Sequence, residues 1–194
     1  MRTVLRLLAG LVVFVIVGCE PTTPPGPPTP ALSGVTIYGD SLAFRSQEEY
    51  AGGGRLVAYP GATLPTWQGL IAEDQSAVIV LALGTNDSVN AGPGPWVDTL
   101  DSLADRCVVI PRPFRAASRP AIAPFDLYLD AIAAARPWVH VVDWDGTMAA
   151  HPEWMSFDHL HYTPDGEVAY AKMLDNAPAA CLGYSGHDVG APSG

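Results

Sequence analysis

The chain has 194 residues, with 20 Asp and Glu against 10 Lys and Arg, a formal charge of −10. That balance argues against nucleic acid as a partner, because phosphate neutralisation needs a basic stripe. An acidic surface favours solubility and disfavours close approach to anionic headgroups, which tilts any substrate toward neutral chemistry.

Read from its start, the chain opens on an address. Arg2 and Arg6 flank the start of an apolar run, residues 7–17, too short for a comfortable membrane span and suited to a secretory h-region. The run ends in Ile16-Val17-Gly18-Cys19, which resembles a bacterial lipobox. On that reading residues 1–18 are a lipoprotein signal peptide, and Cys19 becomes the lipid-modified N-terminus, anchored to the extracytoplasmic face of the cell membrane. The alternative is an ordinary signal with a coincidental cysteine, which would release the protein. Residues 19–33 hold the lipidated Cys and a tether, because the EPTTPPGPPTP stretch favours extended polyproline II structure. Residues 183–194 are Gly- and Ser-rich and read as a flexible tail, in which Ser185, His187 and Asp188 have nothing to hold them in a fixed geometry.

Between tether and tail, residues 34–182 have the size of one domain with its own core. Strand candidates fall at residues 35–38, 56–59, 78–83, 107–110 and 139–142. Helix-like windows separate them at 42–50, 64–72, 96–104, 121–135 and 164–174. Strands alternating with helices imply an α/β domain of parallel βαβ units. The run Gly52-Gly53-Gly54 precedes a strand, so it reads as a helix stop and turn rather than a phosphate cradle.

Four short pieces then stand out, each at the end of an apparent strand or in the loop after it: Gly39-Asp40-Ser41, Gly61, Gly84-Thr85-Asn86-Asp87 and Asp158-His159-Leu160-His161. An open parallel sheet gathers its reactive groups at these strand ends. Ser41 falls on a strand-to-helix turn, which suits a nucleophile. His161 is the candidate base for its proton, and Asp158 the group that fixes the imidazole tautomer. The Ser41 and Gly61 backbone N–H groups and the Asn86 side-chain amide can serve as oxyanion donors. Asp40 and Asp87 read as organisers of hydrogen bonds around their turns.

In this order and at these strand ends, the pieces resemble the four sequence blocks of the SGNH hydrolases, the GDSL-type esterase and lipase superfamily. The similarity runs from about Gly34 to Cys181 and includes Thr163-Pro164-x-Gly166 before a final helix. The resemblance implies a three-layer α/β/α fold with a five-stranded parallel sheet in flavodoxin-like order 2-1-3-4-5. It implies Ser41, His161 and Asp158 as the catalytic residues, with Ser41, Gly61 and Asn86 as the oxyanion hole. No metal and no organic cofactor is expected. The rival is a metal site built on Asp158, His159 and His161, but that reading leaves Ser41 and Gly61 unexplained.

Export also bears on the remaining cysteines, Cys107 and Cys181, which become a candidate disulfide. Cys107 opens the fourth strand at the bottom of the sheet, and the last helix descends toward that level. Two free buried thiols are the alternative. Trp96, Trp144, Trp154, Phe157 and Tyr162 fall in or near loops at the reactive end, where they either line an acyl or sugar pocket or pack as core and rim. The reading that joins these features is a monomeric, extracytoplasmic esterase for small acyl esters, O-acetylated envelope polysaccharide among them. Lipid ester or thioester cleavage, acyl transfer by the same residues, and a non-catalytic envelope binding lipoprotein are the alternatives.

Overall fold

Short runs of aliphatic and β-branched residues form five strands: β1 (Val35–Gly39), β2 (Arg55–Ala58), β3 (Val78–Ala82), β4 (Cys107–Pro111) and β5 (Val139–Val142). The computed structural model describes residues 34–87, 92–114 and 119–182, all within one compact unit. The expected signal peptide, Cys19, the tether and the tail lie outside the described residues. All four strand pairings are parallel, as the strand–helix alternation predicts, and the order is β2-β1-β3-β4-β5, as the resemblance implies.

Helices α1 (Ser41–Arg45), α2 (Leu64–Glu73), α3 (Gly94–Asp101), α4 (Arg119–Ala134), α5 (Trp144–Ala150) and α6 (Pro164–Asn176) cover the sheet. The period-2 alternation of the strands divides the interior in two. Tyr38, Ile79, Leu81, Val108 and Ile110 face one way and meet Leu64 and Ile71 of α2, Leu100 of α3 and Leu129 of α4. Their chain neighbours Ile37, Val80, Ala82 and Val109 face the other way and meet Leu42 of α1, Trp144 and Met148 of α5, and Tyr170 and Leu174 of α6. Each such aliphatic side chain, fully buried, contributes about 1.5–3 kcal/mol. Both faces of β1, β3 and β4 are therefore covered, which is why these strands read as continuous apolar runs.

Two local features differ from the sequence expectations. The first helix ends at Arg45 rather than near residue 50, because the buried Ser46 hydroxyl donates to the Leu42 carbonyl at 2.9 Å and draws the chain into turns. Helix α5 occupies a stretch read as loop. Its signal is the Asp143 cap, whose Oδ1 accepts the Gly146 N–H at 2.9 Å. Of the two fates open to the aromatic residues, Trp96, Trp144 and Tyr162 take the core, at 3%, 3% and 1% exposed.

The lower end of the sheet is closed covalently. After α6 a 3₁₀ turn, Ala177–Cys181, brings the chain under β4, and Cys181 is bonded to Cys107 with a Cα separation of 5.9 Å. The sequence alternative of two free thiols does not hold. Among the described residues no helix is long and apolar enough to cross a membrane.

Candidate active site

The end of β1 delivers Ser41. Gly39 closes the strand under α1, where a Cβ would lie 2.3 Å from that of Ala43, so only glycine permits this approach. Its carbonyl accepts the Trp67 indole N–H at 3.1 Å and the Tyr59 N–H at 3.2 Å, which ties β1 to the β2 loop and to α2. Asp40 caps α1, with Oδ1 accepting the Leu42 N–H at 2.9 Å. Ser41 is the first residue of the helix, and its side chain stops at the surface of the site.

The loop after β2 holds Gly61 at φ +75°, the left-handed region that suits glycine. Immediately beyond it α2 begins, and the Leu64 N–H is held at 3.0 Å by Asp87 Oδ1. Asp87 Oδ2 accepts the Trp96 indole N–H at 3.0 Å, so one carboxylate joins the β2 loop to α3. Burial pushes the Asp87 carboxyl up despite these donors. Its neighbour Asn86 turns its amide nitrogen toward the residue after Gly61 and the residue before Ser41. Asn86 Nδ2 lies 3.2 Å from the Ala62 carbonyl and 3.4 Å from Asp40 Oδ2.

The fourth piece sits on a loop pinned at both ends. Met155 and Tyr162 form an antiparallel bridge, the Ser156 N–H donates to the His161 carbonyl at 2.9 Å, and the Thr163 N–H donates to the Trp154 carbonyl at 2.8 Å. Beneath it Trp144 donates its indole N–H to the Tyr162 hydroxyl at 2.7 Å, inside a cluster with Tyr170. Asp158 organises the tip, with Oδ1 accepting the Leu160 and His161 N–H groups at 3.0 and 2.9 Å. This Asx-type turn places His159 at φ 56°. The side chain of His161 is thereby directed inward, with Nδ1 2.8 Å from Asp158 Oδ2 and Nε2 3.2 Å from Ser41 Oγ.

The electrostatics assign the protons. The His161 hydrogen bond, helped by two backbone N–H groups, holds the Asp158 carboxyl well below the usual carboxylate range. An ionised carboxylate only accepts, so Nδ1 carries the ring proton and Nε2 faces the Ser41 hydroxyl as an acceptor. This is the arrangement in which a serine can give up its proton to imidazole. Asp40 differs. Burial raises it to about 6, against the opposing effect of the Leu42 N–H and the Thr85 hydroxyl. His159, on which the metal alternative depended, is exposed on the outer side of the turn. Among the described residues no group of three or more His, Cys, Asp or Glu side chains could hold a metal ion.

Ser41, Gly61, Asn86, Asp158 and His161 are thus collected at the C-terminal ends of β1, β2 and β3 and on the loop before α6. Residues that sequence reasoning left without partners are Asp87 and Trp67, which fasten the loops to one another. The Gly84-x-Asn86-Asp87 spacing marks Asp87, but no local signal reveals Trp67. Phe157 is 94% exposed beside Asp158, at the open rim of the site.

No family model and no curated protein matches the sequence. Solved structures do match by fold. The C-terminal catalytic domain of a Streptococcus pneumoniae peptidoglycan O-acetyltransferase superposes with a TM-score of 0.69 at 19% identity, over 78% of this chain and 96% of that one. A lipase/acylhydrolase from Enterococcus faecalis gives 0.60 at 16% identity, over 75% and 95%. A family 3 carbohydrate esterase from Clostridium thermocellum gives 0.59 at 15% identity, over 77% and 96%. The chain has the SGNH-hydrolase α/β/α fold that these proteins share.

Proposed function

We propose that this protein is an extracytoplasmic serine esterase that hydrolyses small acyl esters, O-acetyl groups included, through an acyl-enzyme on Ser41. The observation that carries this reading is the continuous hydrogen-bonded line Asp158–His161–Ser41, at 2.8 and 3.2 Å. In the first half-reaction His161 Nε2 takes the Ser41 proton as Oγ attacks the ester carbonyl. The tetrahedral oxyanion is met by the Ser41 and Gly61 N–H groups and the Asn86 amide. The imidazolium, supported by Asp158, then protonates the departing alcohol. Water repeats the sequence on the acyl-enzyme and releases the acid. No metal and no organic cofactor takes part.

Exposure of Asp158 and Phe157 leaves the rim open to solvent, which suits a small acyl group on a bulky carrier such as an acetylated envelope polysaccharide. The fold shared with a peptidoglycan O-acetyltransferase domain and a carbohydrate esterase supports that choice. It also favours a second reading, in which a sugar hydroxyl replaces water and the same residues transfer the acyl group. Location follows from the sequence: lipid on Cys19 anchors the chain to the membrane, and residues 20–30 hold a monomeric domain away from it.

The test is covalent. A fluorophosphonate should add one adduct to the full chain, on Ser41, and abolish p-nitrophenyl acetate hydrolysis. Ser41→Ala should neither label nor turn over while keeping its circular dichroism, whereas EDTA should change nothing. Labelling elsewhere, or full activity without Ser41, sinks the mechanism. Free acetate against acetylated acceptor, measured with a soluble glycan, separates hydrolysis from transfer. An alkyne fatty acid fed to producing cells should label the protein unless Cys19 is replaced by Ser.

A further inference from the structure

We propose that Asp40 is a positioning residue that sets the orientation of the Asn86 amide while it caps the helix bearing Ser41, so that one buried carboxylate registers nucleophile and oxyanion donor against each other. The inference rests on the esterase reading of the same site. Its basis is the division of labour between two oxygens of a side chain that is 1% exposed. Oδ1 accepts the Leu42 N–H at 2.9 Å and fixes the first turn of α1; Oδ2 faces Asn86 Nδ2 at 3.4 Å. The second contact is long, and its value lies in sign rather than strength. A carboxylate only accepts, so it keeps the amide nitrogen, and not the amide oxygen, facing the residue that precedes Ser41. Among the described residues the amide otherwise has only the Ala62 carbonyl, 3.2 Å away, to distinguish its two ends.

A cap alone does not require this residue. Serine caps a helix as well as aspartate does, yet it would leave Asn86 unoriented. The groups facing Asp40 come from three elements besides its own: the Thr85 hydroxyl, Asn86 and the Asp87 carboxylate after β3, His161 from the loop before α6, and the phenols of Tyr162 and Tyr170 packed below. Asp87 opposes its ionisation and His161 favours it, so Asp40 responds to the state of the site. Burial brings its titration up to about 6, where loss of the charge would release Asn86.

Asp40→Ser separates the two duties. In the full chain it should keep its thermal midpoint, because the cap survives, and lose at least tenfold in kcat with KM within about twofold. Combined with Asn86→Ala it should be no slower than Asn86→Ala alone, since one acts through the other. Losses that multiply, or an unchanged kcat, would overturn the proposal. A second measurement does not depend on turnover. The chain has three asparagines, so selective ¹⁵N-asparagine labelling gives three side-chain pairs, and the pair deleted by Asn86→Ala identifies Asn86. Its resonances should shift with a midpoint near pH 6, and that shift should vanish in Asp40→Ser and in the isosteric Asp40→Asn. A shift that persists in both variants removes Asp40 from the role. A wild-type chain that hydrolyses no ester, and whose Ser41 takes no fluorophosphonate, refutes the esterase reading, and the amide titration still decides the part played by Asp40.

Discussion

His161 receives the Asp158 carboxylate on two sides: Oδ2 lies 2.8 Å from the ring Nδ1, and Oδ1 accepts the His161 main-chain N–H at 2.9 Å. One residue thus sets both the fold of the turn and the proton on the ring. Asp158→Asn can keep the backbone contact, but it then presents an NH₂ group to Nδ1 and drives the ring proton to Nε2, where it faces Ser41. Turnover should fall by as much as about 10⁴-fold with the fold intact. Steady-state kcat with circular dichroism checks this, and near wild-type kcat would place ring orientation in the main chain of the loop.

Gly39 makes a prediction about placement. A methyl group there would meet the Ala43 Cβ at 2.3 Å, so Gly39→Ala must lift α1, and Ser41 with it, off the end of β1. Displacements of about 1 Å at a reacting group cost on the order of 10² in rate. kcat/KM should drop by that order, while Gly53→Ala, where nothing lies within 4 Å, should be neutral.

The Cys107–Cys181 bond closes 74 residues of chain. Loop-closure entropy predicts about 4 kcal/mol of stabilisation from such a link. Reduction, or Cys107→Ser with Cys181→Ser, should lower the urea midpoint accordingly. Well below the unfolding transition kcat should be unchanged, because the bond joins the opposite end of β4 from the site. A loss of kcat in parallel with stability would show that the last 3₁₀ turn reaches the active end.

Acid sensitivity should trace in part to Asp74, which is nowhere near Ser41. Although burial opposes it, hydrogen bonds from Ser76, Tyr38 and Thr36 hold its carboxyl well below the ordinary range, and Arg55 adds an ion pair at 2.9 Å. A depressed carboxylate stabilises the fold above its unfolded pKa, about 3.9, and that contribution is lost as pH falls below this value. Asp74→Asn should therefore destabilise by about 2 kcal/mol at neutral pH. The gap to wild type should narrow below about pH 4, as read by urea titrations across pH. A deficit independent of pH would assign the effect to packing.

Much of the fold is legible in the sequence, because the signals are local. Runs such as 78–82, VIVLA, bury both faces and can hardly be anything but an interior strand, and their alternation with amphipathic windows dictates parallel βαβ units. The residue types at the strand ends, the Gly-Asp-Ser and Asp-x-x-His spacings, and the two cysteines could be marked in the same way. Helix α5 escaped because its seven residues are too few to establish a period, and only the Asp143 cap announced it. Trp96, Trp144 and Tyr162 carry no local mark that distinguishes a buried ring from a pocket wall. What brings His161 within 3.2 Å of a serine 120 residues away is the order and register of five strands. The double duty of Asp40, and the Asp87 link between Leu64 and Trp96, likewise exist only once three separate loops have been brought to one end of the sheet. Sequence determines which groups are available at each strand end, through short-range propensity and periodicity; distances between them belong to the packed sheet, since no short-range rule spans so many residues.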